Sequence, residues 1–207
     1  MALPVCCLPV IKAILDGTPR PDAGGLRALS LGYPDLLASR EQLLAIFGPA
    51  AEAGLRARGD SDAVNRWHGT SAVLPTIFDT TAFFGGLGVR LDCVDINPTR
   101  GHERVLDLNH PLPDDLRGIY HLVLDFGTLE HCFNVAQAMK NVAEALSDGG
   151  CVIHINPLNR FNHGFYNLNP TFYADFYAQN GFDLLYLTGL SGPVMNIEMF
   201  DLPPFER

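Results

Sequence analysis

Two rhythms of apolar and polar residues run along this chain. Short apolar runs bounded by turn residues recur from about Leu26 onward, and between them apolar positions fall three and four apart. Residues 27–31 form the first strand candidate, closed by Gly32. Residues 89–96 are the second, 104–108 a short third, 121–126 the fourth and 151–155 the fifth. Continuous apolar runs of this length suit strands covered on both faces. Residues 182–187 and 193–200 add two candidates close enough to pair as a hairpin.

The helical stretches carry their own start and stop signals. Ser39 and Gln42 make a capping box before Leu43, Leu44 and Phe47, and Gly48 and Pro49 stop that helix. Asp79 caps a short helix through Phe83, Phe84 and Leu87. Asn134 and Gln137 repeat the capping pattern ahead of Val135, Ala138, Met139, Val142 and Leu146, with Gly149 and Gly150 as the stop. Asn169 and Pro170 open a helix whose buried side is Phe172, Tyr173, Phe176 and Tyr177, ended by Gly181. Residues 50–76 have a weaker pattern and read as an insertion of one helix plus irregular structure before the second strand. Residues 1–25 form an N-terminal arm, apolar at its start, that packs as an arm or short helix.

Alternating strands and helices predict one domain over residues 1–207. The expected fold is α/β: Rossmann-like and doubly wound, with a mostly parallel seven-stranded sheet and an antiparallel C-terminal edge strand.

Composition narrows the function. A chain of 207 residues with 47% hydrophobic and 18% charged content is an ordinary globular protein. Its formal net charge of -9 creates no field that draws polyanions, so no nucleic-acid partner is expected. The opening apolar stretch is interrupted by Lys12, lacks a basic leader and is too short to span a bilayer, so no membrane partner is expected either. Five cysteines, two of them adjacent, suit a reducing cytoplasm. No C-x-x-C or H-x-x-x-H spacing organises the seven histidines, and no metal site is expected.

In a doubly wound sheet, ligands bind beyond the carboxyl ends of the central strands. The polar residues gather there. Gly32 and Tyr33 follow the first strand, Asp95, Ile96 and Asn97 end the second, and Asp107, Leu108 and Asn109 end the third. Asp125, Phe126, Gly127 and Thr128 end the fourth. Asp95 can accept both hydrogens of a ribose diol. Asp107 can accept from an adenine amino group while the backbone of Leu108 or Asn109 donates to the ring. Gly32 lets backbone approach a ligand closely.

Residues 105–113, with Asp107-Leu-Asn109, residues 122–134, with Gly127-Thr-Leu-Glu-His131, and residues 149–154, 162–166 and 180–182 carry a resemblance. Together they resemble the class I S-adenosylmethionine-dependent methyltransferase superfamily, in its small bacterial branch, over roughly the second half of the chain. That resemblance implies S-adenosylmethionine as cofactor and S-adenosylhomocysteine as product. It puts Asp95 on the ribose, Asp107 near adenine and residues 125–128 beside the methionine portion. Residues 156–166 then face the acceptor, with Asn156, Asn159, Arg160, Asn162, His163 and Tyr166 as substrate-binding candidates. The chain departs from the family at the glycine-rich loop after the first strand, which is reduced to Leu31-Gly-Tyr-Pro-Asp35.

A sulfonium methyl is an activated electrophile, so in-line positioning is the main task, and orientation supplies roughly 7–11 kcal/mol of such a barrier. A hydroxyl acceptor benefits from a general base. His131 and His163 are the candidates, with Glu130 orienting one of them or the substrate. The expected function is methyl transfer to a small-molecule or glycan-type acceptor, at oxygen, where a base is useful. The alternative is a catalytically silent binding or scaffold protein. A nicotinamide-dependent oxidoreductase is disfavoured because G-x-G-x-x-G and Tyr-x-x-x-Lys are both missing.

Overall fold

The computed structural model describes residues 1–21 and 24–203. The 1–25 arm therefore includes two residues, 22 and 23, outside the described ones. It begins with strand β1 (Ala2–Pro4), a single turn of 3-10 helix and helix α1 (Leu8–Gly17). Leu3, Leu8 and Ile11 are fully buried, and each such side chain contributes about 1.5–3 kcal/mol. The arm is thus an integral part of the core.

Strand β2 (Leu26–Leu31) follows, then β3 (Asp35–Leu37), which pairs in parallel with β1 as a separate two-stranded sheet. Helix α2 (Arg40–Phe47) starts at Ser39, whose hydroxyl accepts from Gln42 N while the Gln42 side chain accepts from Ser39 N. The insertion contributes a 3-10 segment over Pro49–Gly54 and helix α3 (Ser61–His68). It closes a small core of Leu37, Val64, Leu74 and Ile77. Asp79 caps helix α4 (Thr80–Gly86), which leads into β4 (Val89–Asp95).

The rest of the main sheet is β5 (Glu103–Val105), β6 (Tyr120–Asp125) and, after helix α5 (Val135–Ala145), β7 (Leu146–His154). Its order is β5-β4-β2-β6-β7, all parallel. The chain winds outward from β2 to β5, returns to the middle at β6 and winds the other way, so the direction reverses between β2 and β6. Period-two alternation covers both faces. Ala28, Leu91, Cys93, Leu122 and Leu124 pack with Ile11, Leu43, Phe83 and Phe84, while Leu29, Leu31, Val94 and Val123 pack with α5. Helix α6 (Pro170–Gln179) adds Tyr173 and Tyr177 to that second layer.

Three expectations need correction. The main sheet has five strands, not seven. Residues 182–188 take no strand, and β8 (Gly189–Ser191) pairs antiparallel with β9 (Glu198–Phe200) in a hairpin apart from β7. The Phe200 ring lies over the bare Cα of Gly189, where a Cβ would come within 2.1 Å, so the hairpin closes on itself. Gly149 and Gly150 do not stop the helix: α5 ends at Ala145, and the glycines lie within β7 at a register shift beside Tyr120. The third strand is shorter than expected: Leu106 N still donates to Asp95 O at the end of β4, and the chain then turns at residues 108–109. Among the described residues no helix is long and apolar enough to cross a membrane.

Candidate functional site

The reversal between β2 and β6 opens a crevice at the carboxyl ends of the strands. Its floor is Gly32, in the left-handed region at φ 83°, with its N–H donating to Val94 O. A Cβ here would come within 3.1 Å of Asp95 Oδ2 and 2.9 Å of Met1 Sδ. The other Asp95 oxygen accepts from Asn97 N at 2.9 Å, which fixes the carboxylate over Gly32. Ile96 is two-thirds exposed beside it. Opposite, the Thr128 hydroxyl donates to Leu31 O and lies 2.7 Å from Met1 Sδ. A thioether side chain from the arm therefore fills the deep end of the crevice.

The β5 end makes the next wall. Asp107 Oδ1 accepts from both Asn109 N and Asn109 Nδ2, and these bonds lower its carboxyl below the ordinary range. Asn109 in turn latches onto the start of α5, with Oδ1 accepting from Asn134 N and its carbonyl accepting from Asn134 Nδ2. Leu108 is buried in the second core layer, all three residues line the cleft, and Asp107 Oδ2 lies 3.7 Å from His110 Nε2.

The loop after β2 points inward. Tyr33 is buried, and its hydroxyl accepts from Thr80 N at 2.9 Å. Its ring stacks on His102 and carries the Arg58 guanidinium 4.8 Å from its centroid. Asp35, fully buried, accepts from Arg100 at 3.2 and 3.0 Å and pairs with His68 at 2.9 Å, with Arg58 at 3.5 Å. Burial pushes this carboxyl up, but the hydrogen bonds from His68 and Arg100 outweigh it and hold it at about 2. Ion pairs thus rigidify a loop whose one glycine is Gly32.

A second polar cluster sits at the β6 end. Asp125 Oδ1 accepts from the N–H groups of Thr128 and Leu129, which shapes the turn. Its Oδ2 accepts from Asn156 Nδ2 at 2.9 Å and pairs with His154 Nδ1 at 2.8 Å. The same Asn156 nitrogen donates to Glu130 Oε2 at 2.9 Å, so one amide joins two buried carboxylates. Helix α6 completes the network: Tyr173 donates to Asn156 Oδ1, and the Tyr177 hydroxyl lies 2.6 Å from His154 Nε2. Burial first, then the Asp125 charge, raises both tyrosines, so they stay protonated. Phe126 is turned into the first core layer, and Gly127, at φ 98°, leaves space for Glu130 Oε1.

Residues 156–166 wrap over Glu130. Its carbonyl accepts from Phe165 N and Tyr166 N, and a Cβ at Gly164 would come within 2.7 Å of that carbonyl. This tight approach, with Asn162 in the left-handed region at φ 54°, brings His163 beside His131, ring centroids 5.1 Å apart. Tyr166 donates to Phe133 O and is thereby committed to the loop. Asn159 and Arg160 are exposed and line the cleft, and Arg160 N donates to Asn167 Oδ1. Phe133 and Phe165, both exposed, meet edge to face at 5.5 Å next to the two histidines.

The structure therefore brings together Gly32, Asp95 and Thr128 in one cluster and Asp125, Glu130, His131, Asn156 and His163 in another. An open cleft of about 1810 Å³ is lined by Asp95, Thr128, Glu130, His131, Asn156 and His163, with Gly32 and Asp125 buried behind them, and continues along β7 toward residues 183–202. Sequence reasoning missed Met1, the ion-pair partners of Asp35 and the hydroxyls of Tyr173 and Tyr177. The tyrosines had a signal, i and i+4 on one helix face, but it indicates burial and not the partner. No protein-family model matches the chain, and no curated protein matches it either.

Proposed function

We propose that the chain is an S-adenosylmethionine-dependent methyltransferase acting on a hydroxyl of a small-molecule or glycan-type acceptor. The observation that carries this reading is the pairing of Gly32 with the Asp95 carboxylate at the point where the sheet order reverses. Asp95 Oδ2 is free to accept from a ribose diol, and exposed Ile96 offers an apolar face to an adenine ring. Asp107 supplies a further acceptor at the rim. Beyond Thr128 the crevice holds the Met1 thioether, an uncharged sulfur like that of S-adenosylhomocysteine. When bound, S-adenosylmethionine supplies the activated methyl group.

On the acceptor side, exposed Phe133 and Phe165 provide a stacking surface, and Asn156 and Glu130 hold a fixed polar wall. His131 and His163, each about half exposed, can take a proton from a hydroxyl, and Glu130 orients His163 from 3.4 Å. The test is calorimetric titration with S-adenosylmethionine and S-adenosylhomocysteine. Micromolar binding that Asp95→Ala removes supports the reading.

One observation favours a second reading, a binding or scaffold protein without turnover. The Met1 side chain occupies the crevice between Gly32 and Thr128, and no nucleotide enters fully while it stays. If protein carrying Met1 and protein lacking it both fail to bind either nucleotide at millimolar concentration, this second reading stands.

A further inference from the structure

We propose that Glu130, His131 and His163 form a binding site for a divalent first-row transition metal ion. One carboxylate oxygen and one ring nitrogen from each histidine all lie within 4.8 Å of one another. Glu130 Oε1 is 3.4 Å from His163 Nε2 and 4.0 Å from His131 Nε2. Ligand atoms at about 2.0–2.2 Å from a tetrahedral ion stand roughly 3.3–3.5 Å apart, so rotation of two exposed imidazoles brings all three to a common centre.

The surroundings are those of a ligand set held in advance. Glu130 is almost wholly buried, and its other oxygen is tied to Asn156, which is itself anchored by Tyr173 and Asp125. Such outer bonds fix the direction of a ligating carboxylate. Gly127 and Gly164 flank it, and a Cβ at Gly127 would come within 3.1 Å of Oε1, the oxygen that faces the histidines. The histidine side is open to a small pocket lined by Asn162, His163 and Phe165, leaving coordination positions for oxygen ligands.

Charge points the same way. Among the described residues the ion-pair partners of Asp125 and Glu130 are histidines alone, whereas buried Asp35 has two arginines. A cation at this point would compensate a pair of buried carboxylates that share one neutral amide. Two imidazoles and one carboxylate suit zinc, cobalt, iron or nickel and are a poor set for calcium or magnesium, which take oxygen ligands. The site does not depend on the methyl-transfer reading. If both hold, the imidazoles are ligands instead of bases, and the ion takes over activation of the acceptor hydroxyl.

The experiment uses chelator-stripped full-length protein, titrated calorimetrically with Zn²⁺ and followed by visible absorption with Co²⁺. One equivalent is expected, with d–d bands of nitrogen and oxygen ligation. Affinity should fall at least about tenfold in His131→Ala and in His163→Ala and stay unchanged in His110→Ala, a histidine exposed elsewhere on the rim. Both tested histidines are exposed, so circular dichroism should show the fold retained where Glu130→Gln disturbs it. Absence of stoichiometric binding to folded wild-type protein, or wild-type affinity in both histidine variants, overturns the proposal. Preference for Mg²⁺ over Zn²⁺ does so too.

Discussion

Asp35 and Arg100, 65 positions apart, are joined by two nitrogen-to-oxygen contacts of 3.2 and 3.0 Å in the interior. His68 and Arg58 close on the same carboxylate, so the loop after β2, the insertion and the β4–β5 connection meet at one residue. Removing one partner of a buried ion pair costs about 3–5 kcal/mol, and Asp35→Ala should lower stability by that much in urea denaturation.

The same carboxylate sets an acid limit. Its folded value, about 2, lies below the ordinary 3.8. Its contribution is therefore fully present above about pH 4 and is lost as pH falls through about 2, a loss of about 2 kcal/mol. Denaturation midpoints measured across that window should drop in the wild type and change less in Asp35→Asn.

Asp95→Ala removes a charged acceptor from the crevice. A hydrogen bond to an ionised acceptor is worth about 1.5–3 kcal/mol, so affinity for S-adenosylhomocysteine should fall roughly 10- to 100-fold. Asp95 lies at the end of a strand, and the melting temperature should change little. Calorimetry with unchanged affinity would remove the ribose assignment.

Gly32→Ala tests the floor of the crevice. The left-handed backbone costs about 1–3 kcal/mol for a residue with a Cβ, and that Cβ would press on Met1 Sδ and Asp95 Oδ2. Thermal unfolding should shift down, and nucleotide binding should be lost with it. Retention of both would mean that the crevice is deeper than Gly32.

Asn156→Ala leaves Asp125 and Glu130 without their shared donor, and a buried group that loses its partner costs about 1–3 kcal/mol, more when charged. Asn156→Asp should be worse, because it adds a third carboxylate to the cluster. Chemical denaturation of the two variants gives the order directly.

Local signals were legible before the fold was known. Ser39, Asp79, Asn134 and Asn169 cap helices in the structure because a cap depends on neighbours two or three residues away. β2 and β6 were readable because burial on both faces makes each an apolar run, whereas Arg90 of β4 and most of the short β5 are exposed. Residues 182–187 carry the same kind of run, yet Leu185 and Tyr186 are exposed and no strand forms, since a strand needs a partner that composition does not show. The Asp35 cluster was invisible for a related reason. Arg58 and His68 come from the insertion and Arg100 from the β4–β5 connection, and nothing in their spacing announces a common partner. His131 and His163 were visible as candidate bases, but their convergence on one Glu130 oxygen depends on how the Gly164 loop folds back.

Among the described residues the main sheet stops at β7, because the β8–β9 hairpin closes on itself instead of extending it. The two sides of β7 consequently differ in how fast they trade protons with water. Amides directed toward β6 sit in a ladder protected by both core layers, whereas alternate amides on the outer side have no strand to hold them. Hydrogen exchange along residues 151–154 should therefore show a tooth-and-gap pattern, slow at every other position. The fast positions mark a border where another strand, from this chain or a second, can be received.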